Sequence, residues 1–434
     1  MDRLLGFLSF PLRWSLLSYP TLVGLPIRVI GPLDAFKLHP PTIGPQWNHG
    51  TADENITHSS SFCPLSILTP HSYNPVSSIS SLLSPHTSSH NVVPSTYYDD
   101  PGFYHGGSNG PATPGETLHH RANATLLMLA RNSELDGAVR SVREMEDRFN
   151  GKYRYPWVFL NEQPFSDEFK RRVSILVSGP VHFGQIPEEH WYQPHWINET
   201  RAKEERDKLE GEGVIYGGSQ SYRNMCRFNS GFFYRHPLLQ DFRYYWRVEP
   251  GVHFHCDVNF DPFVYMHENN KTYGFTITMY EFRRTIESLW STVQDFVAEH
   301  PEYVAQNNAM DFLSDNGGAD FNLCHFWSNF EIADMDFWRG EAYTAYFGYL
   351  DRTGGFYYER WGDAPVHSIA AALLAGTDRI QFFREIGYEH SPFTHCPAEK
   401  DLWERGRCTC DPVHSFDYNG YSCMPRWDRI EGRR

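Results

Sequence analysis

Two carboxylates stand among aromatic residues in the last third of the chain: Glu331, in Phe330-Glu-Ile, and Asp363, in Trp361-Gly-Asp-Ala-Pro. Polar groups so embedded are costly to bury unless they are hydrogen-bonded or functional. A carboxylate pair framed by aromatic rings suits chemistry at an anomeric carbon, where an oxocarbenium-like charge must be stabilised. Ion pairs with Arg339, Arg352 or Arg360 would account for the same acids, and spacing alone leaves both readings open. His325, His367 and His390 lie nearby in sequence. Upstream, Glu249-Pro-Gly follows residues 244–248, Tyr-Tyr-Trp-Arg-Val, which read as a strand. A carboxylate delivered at a strand end is where α/β enzymes place metal ligands, although a turn acid without a role has the same spelling.

The elements that must position these groups are legible from periodicity. Residues 124–130 form an apolar run of buried-strand length. Residues 133–136 read as a capping box, followed by Leu135, Val139, Val142, Met145 and Phe149 at helical spacing. Residues 157–160 make a second buried strand. Residues 166–176 make a helix with Phe169, Val173 and Leu176 on one face, and residues 181–185 a third strand. Strands alternating with helices imply a parallel sheet with ligands at the strands' carboxyl edge. Further strands are expected at 244–248 and 273–279, and Ile286, Leu289, Val293 and Phe296 mark an amphipathic helix. No G-x-G-x-x-G or Walker A motif occurs, which removes support for a dinucleotide or P-loop site.

The 434 residues hold 38 Lys plus Arg against 53 Asp plus Glu, a net charge of −15. Such an acidic balance argues against general nucleic-acid binding, which needs a basic footprint. Aromatic residues make up 16% of the chain; their faces suit stacking on sugar rings and equally the filling of cores. Residues 1–31 are hydrophobic and resemble a weak signal anchor, since the longest uncharged run falls short of the ~20 residues of a spanning helix. Residues 32–118 read as a Ser/Pro/His-rich stalk. It has no Asp, Glu, Lys or Arg between 56 and 98, and no periodicity by which burial could repay its ordering entropy. That leaves residues 119–434 as the globular domain. Eight cysteines, four of them crowded at the C-terminus, and sequons at Asn55, Asn123, Asn198 and Asn270 favour an oxidising secretory compartment; a cytosolic enzyme with reduced thiols is the alternative. The tail from Cys396 to Cys423 reads as a disulfide-closed end.

Four stretches carry a family resemblance: Tyr222-Arg-Asn-Met-Cys-Arg-Phe-Asn-Ser-Gly-Phe-Phe, Tyr245-Trp-Arg-Val-Glu-Pro, Asn322-Leu-Cys-His-Phe-Trp-Ser-Asn-Phe-Glu-Ile and Gly355-Phe-Tyr-Tyr-Glu-Arg-Trp-Gly-Asp-Ala-Pro-Val-His-Ser-Ile. In these, and in their order, the segment from Thr125 to Pro397 resembles the fungal α-1,2-mannosyltransferases of glycosyltransferase family 15. The resemblance implies a GT-A type α/β fold, a mixed central sheet flanked by helices. It also implies retaining transfer of mannose from a GDP-mannose donor to the 2-hydroxyl of an α-mannoside acceptor on glycoproteins or glycolipids. Mn²⁺ is the implied cofactor, with Glu249 and His390 as ligands. Glu331 matches the residue proposed as nucleophile, and Asp363 one placed near the acceptor. Tyr222 and Arg131 match substrate contacts, and His367 is read as a structural neighbour of the site. A type II Golgi membrane enzyme of glycoprotein and cell-wall mannan synthesis is expected. An inactive mannan-binding paralogue and a mannosyltransferase of different linkage are the alternatives.

Overall fold

The computed structural model describes residues 103–104 and 121–433; the hydrophobic segment 1–31 and the stalk, apart from Phe103–Tyr104, lie outside the described residues. In chain order, β1 (Ala124–Leu129), α1 (Leu135–Met145), β2 (Trp157–Asn161), α2 (Asp167–Ser174) and β3 (Val181–Gln185) alternate as their periodicity requires. Helices α3 (Glu199–Gly211) and α4 (Gln220–Gly231) come next, then β4 (Tyr244–Arg247), β5 (His253–Phe254), β6 (Tyr273–Phe275) and β7 (Thr278–Tyr280). After α5 (Leu289–Glu299) come β8 (Cys324–Phe326), β9 (Glu331–Asp334), α6 (Glu341–Thr353) and α7 (Asp363–Ala370). The strands β10 (Ile380–Phe382), β11 (Tyr388–His390) and β12 (Phe393–His395) follow.

Seven strands form the central sheet in the order β10-β6-β9-β4-β1-β2-β3. Strands β3, β2, β1 and β4 run parallel, while β9 lies antiparallel to both β4 and β6. The expected parallel sheet is therefore parallel in one half and mixed overall. A separate antiparallel sheet, β12-β11-β5, stands beside it. The run at 273–279 divides: β6 pairs in the central sheet, whereas β7 leaves it to pair with β8. The helix marked from Ile286 starts three residues later, after a 3-10 turn at Arg283–Thr285. The cap ahead of α1 also differs, because the Glu134 carboxylate, not Ser133, closes the turn by accepting the Arg131 backbone N–H at 2.7 Å.

Strand pleat explains how one sheet feeds two cores. Leu127, Val158, Leu160, Tyr245 and Ala333 point into one layer with α4, α6 and α7. Their alternates Leu126, Met128, Trp157, Phe159, Trp246 and Ile332 point into the other with α1 and α2. Helix α7 is buried nearly all round, from Asp363 and Pro365 to Ala370, as expected for a helix without a polar face. The C-terminal tail closes only partly on itself: Cys396 bonds Cys410, but Cys408 reaches back to Cys256 and Cys423 to Cys324. Cys226 is a buried free thiol. Among the described residues no helix is long and apolar enough to cross a membrane.

Candidate active site

The carboxyl ends of the parallel strands β1, β2 and β4 meet at one edge of the sheet, and β4 ends in Arg247-Val-Glu249. Residues two apart on a strand share a face, so Arg247 lies on the face of Tyr245. Across the antiparallel ladder Arg247 stands directly opposite Glu331, the first residue of β9. Cross-strand neighbours of this kind interact side chain to side chain. Glu249 then enters a turn in which Gly251 has φ +86°. The turn packs so closely on α1 that a Cβ at Gly137 would lie 3.2 Å from the Gly251 nitrogen.

Arg247 is the hub. Its Nη2 donates to Glu249 Oε1 at 2.5 Å, and its Nη1 donates to Asp363 Oδ2 at 2.6 Å and lies 3.8 Å from Glu331 Oε1. One planar guanidinium thus joins three carboxylates, a task suited to its fixed fork of donors. Burial opposes its charge, but the facing carboxylates of Asp363, Glu249 and Glu331 outweigh that and raise its pKa well above the ordinary arginine value.

Glu331 is 1% exposed. Its Oε1 accepts from the Tyr245 hydroxyl at 2.8 Å, and its Oε2 faces His367 Nδ1 at 3.0 Å. His367 Nε2 lies 3.0 Å from the carbonyl of Asn229, which fixes the ring at both ends. His367 is therefore a buried neighbour of Glu331, as the sequence indicated. Asp363 opens α7, and its Oδ2 also accepts from Ser328 Oγ at 2.7 Å.

His390, on β11, brings its Nε2 to 3.6 Å from Glu249 Oε2, and its ring packs edge-on against Trp327 at 5.0 Å. That separation is too long for a hydrogen bond. Burial disfavours the Glu249 anion, but Arg247 and His390 overcome it and hold the Glu249 pKa down at about 2. Burial likewise opposes the His390 cation, and the Glu249 carboxylate reverses this and raises its pKa. An anionic carboxylate and an imidazole facing each other without a hydrogen bond are a donor set that fits Mn²⁺. No group of three or more His, Cys, Asp or Glu able to hold a metal occurs among the described residues, so a metal held by Glu249 and His390 would take its remaining ligands from elsewhere.

Tyr222 lies on α4, which packs against α7, the helix that Asp363 opens. Burial raises its hydroxyl pKa well above the ordinary value, helped by Cys226 and Asp363 and opposed by the Arg360 cation. The Arg360 guanidinium lies 5.1 Å from its ring. Arg131 sits just past β1 at the rim, where Nε meets Glu162 Oε1 at 3.1 Å and Nη2 donates to Ser221 Oγ at 2.5 Å. It therefore reaches α4 through Ser221, the residue before Tyr222, and its side-chain hydrogen bonds go to Glu162 and Ser221 rather than to Glu249, Glu331 or Asp363. His325 does not join the cluster either: it is buried and its Nδ1 has no hydrogen-bond partner.

The structure removes one alternative. Arg339 donates to backbone carbonyls of Leu239 and Phe242, Arg352 lies over Tyr349, and Arg360 faces Glu281. None of them pairs with Glu331 or Asp363. The arginine that does is Arg247, which the sequence analysis left unassigned. Its signal was available, since it stands two residues before Glu249 on a strand. Ser328 and Tyr245 were also missed, although both lie inside the stretches that carry the family resemblance.

The sequence profile described as glycolipid 2-alpha-mannosyltransferase matches residues 106–432. The chain is 56% identical over 307 residues to glycolipid 2-alpha-mannosyltransferase 2 of Candida albicans, a match covering 71% of this chain and 67% of the relative. It is 53% identical to the O-glycoside alpha-1,2-mannosyltransferase omh1 of Schizosaccharomyces pombe, over 71% of this chain and 78% of that one. Among solved structures it resembles core-mannan synthase A of Aspergillus fumigatus in its Mn/GDP form. That match has a TM-score of 0.69 and 41% identity, over 74% of this chain and 88% of the other. It also resembles the mannosyltransferase Ktr4p of S. cerevisiae in complex with GDP, with a TM-score of 0.68 and 42% identity, over 71% and 82% of the two chains.

Proposed function

The chain belongs to the glycolipid 2-alpha-mannosyltransferase family, and on that footing we propose that it moves mannose from GDP-mannose to the 2-hydroxyl of a mannoside acceptor, with retention of configuration. The observation that carries the reading is the Arg247 hub, which gathers Glu249, Asp363 and Glu331 at the carboxyl edge of the sheet with His390 against Glu249. Glu249 and His390 would hold Mn²⁺, which supplies a Lewis acid for the charge developing on the departing GDP.

The remaining roles follow from the contacts of each side chain. Arg247 keeps Glu249 ionised and aimed while it anchors Asp363. Asp363 Oδ2 is engaged by Arg247 and Ser328, and its other oxygen is the one to orient the acceptor hydroxyl or take its proton. Glu331 has both oxygens hydrogen-bonded and is almost wholly buried. This favours a fixed negative charge beside the oxocarbenium-like centre over direct attack by Glu331. Attack of the acceptor on the face from which GDP leaves then accounts for retention. Tyr222 and Arg131 line the substrate side.

The setting we propose is a Golgi membrane enzyme of type II orientation, with residues 1–31 as anchor, acting in protein O- and N-glycosylation and cell-wall mannan synthesis. Three disulfides support an oxidising compartment.

The test is transfer from GDP-mannose to α-methyl mannoside by the full chain, with Mn²⁺ and with chelator, and with linkage of the product read by NMR. An α-1,2 product that vanishes with chelator, and with Glu331→Gln and His390→Ala, is expected. A folded protein that neither transfers mannose nor binds GDP overturns the reading.

A further inference from the structure

Tyr216 sits in the loop between α3 and α4 with φ +57°, the left-handed region that a bulky side chain rarely enters. Strain of this kind persists only where the surroundings over-determine it, and it gathers at functional sites. Here the surroundings do so. The Arg223 guanidinium, fully buried, donates from Nη1 to the carbonyls of Gly217 at 2.8 Å and Ser219 at 3.0 Å. Its Nε donates to the carbonyl of Glu359 at 3.0 Å, tying the loop to the segment that leads into Asp363. Gly217 and Gly218 close the loop onto the end of α3, where added Cβ atoms would fall 2.6 Å from the Leu209 carbonyl carbon and 2.7 Å from the Glu210 carboxylate.

What this scaffold holds out is an aromatic ring. Tyr216 is 42% exposed and lies face to face with Tyr222, with centroids 4.5 Å apart and planes 13° apart. The neighbouring Ile215 is exposed as well. Tyr222 is in turn on α4, which packs against α7, the helix that Asp363 opens. A line of groups thus runs from Asp363 through Tyr222 to a half-exposed ring, which a structural stack alone would not require to face water.

We propose that Tyr216 is the platform of a second sugar subsite, on which the penultimate residue of an oligomannoside acceptor stacks while its terminal mannose stands at Asp363. The inference rests on the assignment of Asp363 and Tyr222 to the acceptor side. A pyranose presents a patch of C–H groups that packs on an aromatic face, and the loop supplies that face in a fixed orientation, so little freedom is lost on binding.

The experiment compares kcat/KM of the full chain for methyl α-1,2-mannobioside and for α-methyl mannoside. The native enzyme should favour the disaccharide by about fivefold, chiefly through KM. Tyr216→Asn, which tolerates the left-handed backbone, should bring the ratio close to one, and Tyr216→Phe should retain the native ratio. A native ratio of one, or an unchanged ratio in Tyr216→Asn, overturns the proposal. So does an equal loss on both acceptors, which would mean that Tyr216 only props Tyr222. Transfer to neither acceptor by the native chain overturns the mannosyltransferase reading and this inference with it, whereas transfer with an unchanged ratio overturns this inference alone.

Discussion

The small sheet β5-β11-β12 carries His390 on one face and His253, His255 and Glu389 on the other, since successive residues of a strand point to opposite sides. The outer face borders a cavity of about 430 Å³ lined by Glu144, Asp147, Arg148, Asp257 and Arg407 together with the two histidines. The same four residue types build the active centre. In the outer cleft the histidines are consumed in separate pairs, His253 with Glu144 at 2.8 Å and His255 with Glu389 at 2.8 Å, while Asp257 binds Arg148 at 2.7 Å and Arg407 as well. At the inner face one buried arginine is shared by three carboxylates, and Glu249 and His390 face each other with neither satisfied by the other. One-to-one contacts satisfy the outer groups, whereas sharing a single buried arginine leaves Glu249 and His390 facing each other across a gap too long for a hydrogen bond.

The largest expected effect is at the hub. Arg247→Ala leaves the buried Glu331 and Asp363 and the half-buried Glu249 without their counterion, and removing one partner of a buried network costs about 3–5 kcal/mol. Catalytic efficiency should fall on the order of 10³-fold. Arg247→Lys should rescue little, because a single ammonium cannot reproduce the fork. Denaturant unfolding together with kcat/KM measures both effects. An active, stable Arg247→Ala enzyme would show that the carboxylates do not depend on one another.

Next in size is a covalent link within the outer region, which ties the small sheet to the C-terminal tail. Cys256, directly after the outer-face His255, is joined to Cys408 across 152 residues. Cys256→Ser with Cys408→Ser should lower stability by about 2–5 kcal/mol. It should loosen the outer face before the central sheet, as read by hydrogen exchange at residues 253–256 against residues 124–129. Equal loss of protection in both segments would mean that the small sheet and the central sheet unfold as one unit.

Much of this contrast was legible in the sequence and some was not. The alternation of β1, α1, β2, α2 and β3 follows from local periodicity, and these elements lie where it puts them. Glu249, Glu331, Asp363 and His390 were singled out by type and motif. What local pattern does not contain is pairing between distant strands. That β9 lies antiparallel to β4, and so sets Glu331 opposite Arg247, depends on a return of the chain 84 residues later. The division of residues 273–279 between two sheets has the same origin. Cysteine partners were equally out of reach, because the tail reaches back to Cys256 and Cys324, far away in sequence.

A smaller effect sharpens the comparison from the outer side. His253→Asn and Glu144→Gln each break one partly exposed pair, so stability should shift by less than about 1 kcal/mol. Mannose transfer should stay within about twofold of the native enzyme. A drop as deep as that of His390→Ala would mean that the outer face transmits to the strand that carries His390, and the division between the two faces would fail.

The smallest effect concerns how the tail is held against the small sheet. His395, on β12, is buried with Nδ1 2.9 Å from Asp417 Oδ2 and Nε2 3.2 Å from the carbonyl of Arg384. Burial works against its protonation, yet Asp417 more than compensates and raises its pKa above the ordinary 6.5. The folded state therefore binds this proton more tightly than the unfolded one. The resulting stability is fully present below the unfolded value and is lost as pH rises through the folded one. Asp417→Asn removes the compensating charge and leaves burial, which acts in the opposite direction. Between about pH 5 and about pH 9, the melting temperature of the native chain should decline relative to that of Asp417→Asn. Parallel pH profiles would mean that the pair is held by packing alone, with no charge on the imidazole.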